Sequence, residues 1–229
     1  MNAQERLRAA RTAAHEGRFA EALSEYIWFH EHALEEQPSL SGVRLSFALG
    51  YWLELAGQYP PARAALQSIR NEKTKRLEQG EEDWELFNDV TAINRELGND
   101  EATYDLFSSI SNTNPAFAAR CAGVATPAIV KAFDFKLARS FISNPEKAVE
   151  QLASRFIQGI ERANRSSTPE KKADITDVEI RIYAEEVGLL AQIVSMAGEG
   201  EQADALVERA ISLAGSAELQ DAIRAALIR

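Results

Sequence analysis

VRLSFALGYWLELAGQYPPARAALQSI, residues 43–69, reads as two amphipathic helices joined by a turn. From Val43 to Ala56, the residues Leu45, Leu49, Trp52, Leu53 and Ala56 recur at the spacing that lines up side chains on one helical face. Gly57 is placed to end that helix through a positive φ, and Gln58 and Tyr59 to make the turn. Pro60 and Pro61 open the second helix, the one region that tolerates missing N–H groups. Ala62, Ala65, Leu66 and Ile69 form its inner face. Gly50 lies inside the first helix, where glycine costs about 1 kcal/mol relative to alanine. A close approach by the second helix would account for it.

Outward from this stretch the same arrangement returns three times. Around Gly17 stand Ala9, Ala10, Phe19, Ala22, Leu23 and Tyr26; around Gly98 stand Phe87, Val90, Phe107 and Ile110, closed by Asn114-Pro115. Around Gly198 stand Val187, Leu190, Ala191, Ala203, Val207, Ala210 and Ile211. With Leu49-Gly50, Gly57, Tyr59, Ala62, Leu66 and Ile69, these residues resemble the tetratricopeptide pattern of paired antiparallel helices. The copies are degenerate: Thr91 and Thr103 fill small-residue slots, and Gly200 stands where an aromatic belongs. The turn glycines lie 40, 41 and 100 residues apart, against a usual repeat of about 34. Helices longer than usual, or loops such as 70–80, follow from that spacing, and other α-solenoid arrangements stay open.

The resemblance implies an all-α fold, with antiparallel helix pairs stacked as a right-handed α-solenoid of about 10–12 helices. Residues 1–115 are expected to hold three pairs and 116–165 one or more divergent pairs. A linker or loop is expected over 166–175, and a fourth pair plus a capping helix over 176–229. Within the divergent region, Phe117 to Gly123 reads as a short helix. Thr126-Pro127 and Asn144-Pro145 each read as an N-cap followed by a first-turn proline. NRSSTPEKKAD, residues 164–174, is polar enough to link domains. ITDVEIRIY, from Ile175, alternates like a strand, but Thr176 and Glu179 make a capping-box pattern and favour a helix.

A net charge of −10 argues against nucleic acid, whose phosphates need clustered lysine and arginine. It leaves either simple solubility or an acidic surface that would draw a basic partner. One cysteine excludes an intramolecular disulfide, and neither a signal-peptide run nor a membrane-length apolar run is present, so a cytoplasmic location is expected. His30-Glu31-His32 starts like a zinc-protease motif, but Leu34 stands where the second ligand is needed. Gly198 to Ala203 formally matches a dinucleotide fingerprint, yet it follows a helix and carries two glutamates that would repel a pyrophosphate. Cys121 has no histidine near it in sequence and reads as a buried structural thiol. No metal, cofactor or catalytic residue is therefore assigned.

In the tetratricopeptide family the first helix of each pair lines a concave groove. Carried onto this chain, that surface comprises Arg11, Arg44, Phe47, Tyr51, Asn88, Ala92 and Arg95. Phe47 and Tyr51, four apart, would make an aromatic shelf, and the arginines would favour a carboxylate-bearing peptide. The lysine/asparagine clamp of the chaperone-tail-binding members is not carried over: its slots hold Leu7, Tyr51, Glu85 and Asp89. The function expected is a non-enzymatic adaptor for a protein or peptide, with self-association possible. The alternatives are a stoichiometric inhibitor that masks a basic partner with the acidic surface, and an enzyme with an unrecognised site within Phe117 to Arg165.

Overall fold

Proline and glycine punctuate most of the turns of this chain. The computed structural model describes residues 1–166 and 168–228. Among these it holds thirteen α-helices and one 3₁₀ turn, Pro38–Leu40, and no strand. Five helices or turns begin at a proline, and the residue before each (Gln37, Tyr59, Asn114, Asn144, Thr168) is non-helical, with φ between −130° and −147°. The ring of a following proline disfavours the α conformation in the residue before it, so each of these five residues stands outside the helix or turn it precedes. Gly17, Gly80, Gly98, Gly198 and Gly215 supply five further turns with φ from 70° to 101°.

The stretch 43–69 shows the effect directly. A short helix α3 (Ser41–Arg44) breaks at Leu45 and Ser46, and α4 (Phe47–Gln58) then runs through Gly57 without a positive φ. Tyr59, ahead of Pro60, makes the turn into α5 (Pro60–Glu78), so the expected glycine stop is replaced by a proline stop. Gly50 admits no close neighbour, since a Cβ there would meet nothing within 4 Å. The close helix approach expected at Gly50 is therefore absent. The expected loop at 70–80 is mostly the last turns of α5.

The chain folds as two compact units, Met1–Ala132 and Phe133–Arg229. The division falls after Ala132. The first unit holds α1 (Ala3–His15), α2 (Phe19–Glu36), α3 to α5, α6 (Trp84–Glu96), α7 (Asp100–Thr113) and α8 (Pro115–Lys131). Helices adjacent in sequence pack as neighbours: α1 on α2, α4 on α5, α5 on α6 and α7 on α8. Trp52, Tyr26, Leu49, Leu55, Leu66 and Ile93 share one core cluster. Tyr26 stacks on Trp52, whose indole N–H donates to the Ala62 carbonyl at 2.9 Å. Pro127, expected to open a helix, lies inside α8, and Thr126 bonds back to the Ala122 carbonyl instead of capping. Buried Ala118, Cys121 and Ala122 before the proline and Ala128 and Ile129 after it hold both halves in one helix.

The second unit holds α9 (Phe135–Ser140), α10 (Pro145–Asn164), α11 (Pro169–Met196), α12 (Gly200–Ser212) and α13 (Ala217–Leu227). α11 packs against the other four. Phe156 of α10 stacks on Tyr183 of α11 at 4.7 Å, inside a cluster with Val149, Val187, Leu206 and Ile223. The expected linker is largely helix: Thr168 caps α11 by accepting from the Lys171 N–H, and Thr176 lies within the helix, bonded to the Lys172 carbonyl. Its polar composition disguised an N-cap followed by a first-turn proline. Ser167, within that expected linker, lies outside the described residues. The preference for a helix over a strand from Ile175 agrees with α11.

Candidate functional site

Asp89 sits on the apolar face of α6, one turn after Leu86 and one before Ile93, and is 3% exposed. A carboxylate so placed has to find charge partners, because an isolated buried charge costs several kcal/mol. Three elements supply polar partners, two of them cationic. Arg44 of α3 embraces Asp89 with both Nη groups, Nη1 donating to Oδ2 at 3.1 Å and Nη2 to Oδ1. Nη1 also donates to the His30 carbonyl at 3.1 Å, tying α3 to α2. Lys73 of α5 donates to Oδ2 at 2.5 Å. The His30 Nε2 lies 3.7 Å from the same oxygen.

The electrostatics of this cluster are settled by burial and by its two cations. Burial pushes the Asp89 carboxyl up, but Arg44 and Lys73 outweigh it and hold the group below its ordinary value. Burial, followed by the Arg44 charge, pushes His30 down to about 4 against the pull of Asp89, so His30 is neutral at pH 7. Its Nδ1 is buried with no hydrogen-bond partner, as is the Nε of Arg44. Such orphaned polar atoms are rare in well-packed interiors.

The cluster floors a cleft of about 430 Å³. Glu31 and Glu35 of α2, Glu72 and Arg76 of α5, and Asp83 and Glu85 at the start of α6 line its walls. Six carboxylates thus face three basic side chains and a neutral histidine. Arg76 is itself engaged by Glu81, at 2.6 Å. The lining therefore carries a net negative charge, with its cations concentrated on the floor.

The residues expected to form a concave groove are distributed differently. Arg44 is 6% exposed and belongs to the buried cluster, and Ala92 is 3% exposed in the core, so neither faces a groove. Arg95 donates to the Leu45 carbonyl at 2.7 Å and to Glu96, stitching α6 to the break after α3. Arg11 of α1 lies over the Tyr51 ring at 4.0 Å, and with Tyr26, Glu54 and Gln58 they line a smaller cavity of about 210 Å³. Phe47 is 65% exposed and Asn88 half-buried. Of the expected set, then, the structure brings Arg11 and Tyr51 together, while two of the three arginines are satisfied by the chain's own oxygens.

Sequence reading did not single out Asp89, His30 or Lys73 as a site. A signal was present: Asp89 interrupts the apolar stripe Leu86, Val90, Ile93, and His30 interrupts that of α2. Ionisable residues on two inner faces call for each other. Elsewhere, no group of three or more possible metal ligands occurs among the described residues. Cys121 is buried and its thiol is pushed up to about 11 by burial, so little thiolate forms at neutral pH. No described helix is long and apolar enough to cross a membrane.

No protein-family model matches the chain, and comparison with curated proteins and with solved structures likewise returns no match.

Proposed function

We propose that the chain is a non-enzymatic interaction protein, a tetratricopeptide-like array of antiparallel helix pairs in a right-handed α-solenoid. Its first unit takes a basic segment of a protein partner into the cleft above Asp89. The observation that carries this reading is the sign of the cleft: six carboxylates against three bases, two of which already neutralise Asp89. An acidic concavity concentrates field lines and steers cationic side chains towards it. The carboxylate-bearing peptide suggested by three groove arginines is less well supported, since Arg44 and Arg95 are occupied by Asp89 and Leu45. The packing of sequence neighbours and the positive-φ glycines at Gly17, Gly98 and Gly198 support the repeat reading. A stoichiometric inhibitor of a basic protein would use the same charge, and differs in what happens to the partner's activity.

Glu31 and Glu35 have side chains 51% and 73% exposed, so reversing them leaves the fold intact. Binding to an array of lysine- and arginine-containing peptides is expected to fall steeply with salt and to be lost in Glu31→Lys/Glu35→Lys. A Phe47→Asp chain serves as the control for the alternative surface. Loss of binding in that control, with Glu31→Lys/Glu35→Lys unaffected, would move the site to the aromatic shelf. Binding that ignores both salt and the cleft charges would overturn the reading.

A further inference from the structure

α11 is the longest helix of the chain and is covered unevenly. Tyr183, Val187 and Ile180 face the core of the second unit. Ile175, Val178 and Ile182, spaced three and four apart, form a separate stripe on another face and join neither the core cluster nor the apolar side chains packed against it. Val178 is 43% and Ile182 45% exposed, and Ile175 is half-buried. Soluble helices do not ordinarily leave a contiguous apolar stripe in water, and such stripes mark interaction faces.

The charges around the stripe say what fits it. Lys171 and Lys172 lie one turn before it, and one turn after it lie Glu185 and Glu186, the latter paired with the exposed Arg155 of α10 at 3.3 Å. Asp174 and Arg181, seven residues apart, share one flank. A second copy of the same helix, laid antiparallel about a two-fold axis near Val178, would set Ile175 on Ile182 and Asp174 opposite Arg181. The lysine end of each copy would then meet the glutamate end of the other. In the parallel orientation like charges would meet. In an isologous contact each such pair is made twice.

The geometry points to α11 as the face of an antiparallel homodimer, with Ile175, Val178 and Ile182 at its centre and Asp174–Arg181 pairs at its edge. The contact lies wholly within the second unit and does not depend on the partner cleft. A homodimer would present two copies of that cleft and so bind a multivalent partner more tightly than one chain does.

Sedimentation equilibrium on the full chain tests this. The wild type is expected to be dimeric by about 100 µM, association being governed by protomer concentration. Ile182→Glu is expected to weaken the dimer by about 100-fold, because the buried charge enters the interface twice. Far-UV circular dichroism verifies that each variant folds. Arg181→Asp and Asp174→Arg, both at exposed positions, should each favour the monomer. The double variant Asp174→Arg/Arg181→Asp should restore the dimer, which a merely hydrophobic association would not require. A wild type that stays monomeric at that concentration overturns the inference. So does a dimer indifferent to Ile182→Glu, or single charge reversals that the double variant fails to rescue.

Discussion

The two units are built on different principles. Every buried polar or charged side chain described (His30, Arg44, Asp89, Asn94 and Thr103) lies in the first, while the second buries apolar side chains and Tyr183. In the first unit the helices are registered by ionic and hydrogen-bonded partners, such as Arg44 with Asp89, and Asn94 with Thr103 at 3.0 Å. In the second they are registered by shape, through the Phe156–Tyr183 stack and the aliphatic residues around it. Burying an ion pair seldom adds stability over an apolar pair of the same size. Its presence beneath a charged cleft marks the first unit as the one whose interior is shaped by something other than packing.

Breaking the cluster gives the largest effect. Asp89→Ala leaves Arg44 without its carboxylate in a site 6% exposed, and should destabilise the first unit by about 3–5 kcal/mol. Arg44→Met/Asp89→Leu should recover most of the loss, because the charge then left without its partner, Lys73, has a side chain 21% exposed and can turn to water. All three tryptophans, Trp28, Trp52 and Trp84, belong to the first unit, so urea unfolding followed by tryptophan fluorescence reports on it alone. A double variant no better than Asp89→Ala would show that the pair itself holds the helices.

Acid separates the units next. His30 is neutral when folded, with its pKa pushed down to about 4 by burial and by Arg44, and takes up a proton near 6.5 once unfolded. The unfolded state therefore binds more protons between those values, and stability is full above pH 6.5 and falls as pH drops towards 4. The loss over that window is about 3 kcal/mol. Asp89, its carboxyl held below the ordinary value by Arg44 and Lys73 against burial, adds its own loss only at lower pH. All three histidines lie in the first unit, so its fluorescence transition should weaken by about pH 4.5 while the second unit's, followed by circular dichroism, does not. His30→Gln should flatten the dependence.

How far these features could be read beforehand differs for fold and site. Helical periodicity and the glycine turns at Gly17, Gly98 and Gly198 are local patterns, and the helices and positive φ values agree with them. Gly57 misled because a proline three residues later does the same work, and Thr126-Pro127 because an N-cap and a tolerated interior proline look alike in sequence. Only burial on both sides of Pro127 distinguishes them. The site was less legible. Arg44 was placed in a groove by its position in a repeat, but its partner stands 45 residues away, and no local spacing encodes that pair. The interrupted stripes of α2 and α6 were the available clue.

In the core of the second unit the polar contribution is a single hydroxyl. Tyr183 is 1% exposed and its OH donates to the Ala210 carbonyl at 3.0 Å, joining α11 to α12. Tyr183→Phe keeps the stack on Phe156 and removes only that bond, so about 1 kcal/mol should be lost. Circular dichroism of the second transition measures it. A loss several times larger would mean that this unit too depends on its polar contact, and the contrast with Asp89 would narrow.

The smallest change expected is at Gly159 of α10, on the side that faces α11. A Cβ built there would overlap the Glu179 carboxylate, which lies against the glycine while pairing with Arg162 at 3.2 Å. The obstacle is the end of a flexible side chain, and Arg162 is 64% exposed, so that pair contributes little. Alanine in a helix interior is favoured over glycine by up to about 1 kcal/mol. Gly159→Ala should therefore shift the second unit by less than about 1 kcal/mol, in the stabilising direction. Gly198→Ala provides the contrast: with φ at 101° the strain is in the backbone, and no side-chain movement relieves it. If Gly159→Ala proves as damaging as Gly198→Ala, the Glu179 carboxylate is locked in place. The second unit would then have a polar fixture of its own beside its apolar core.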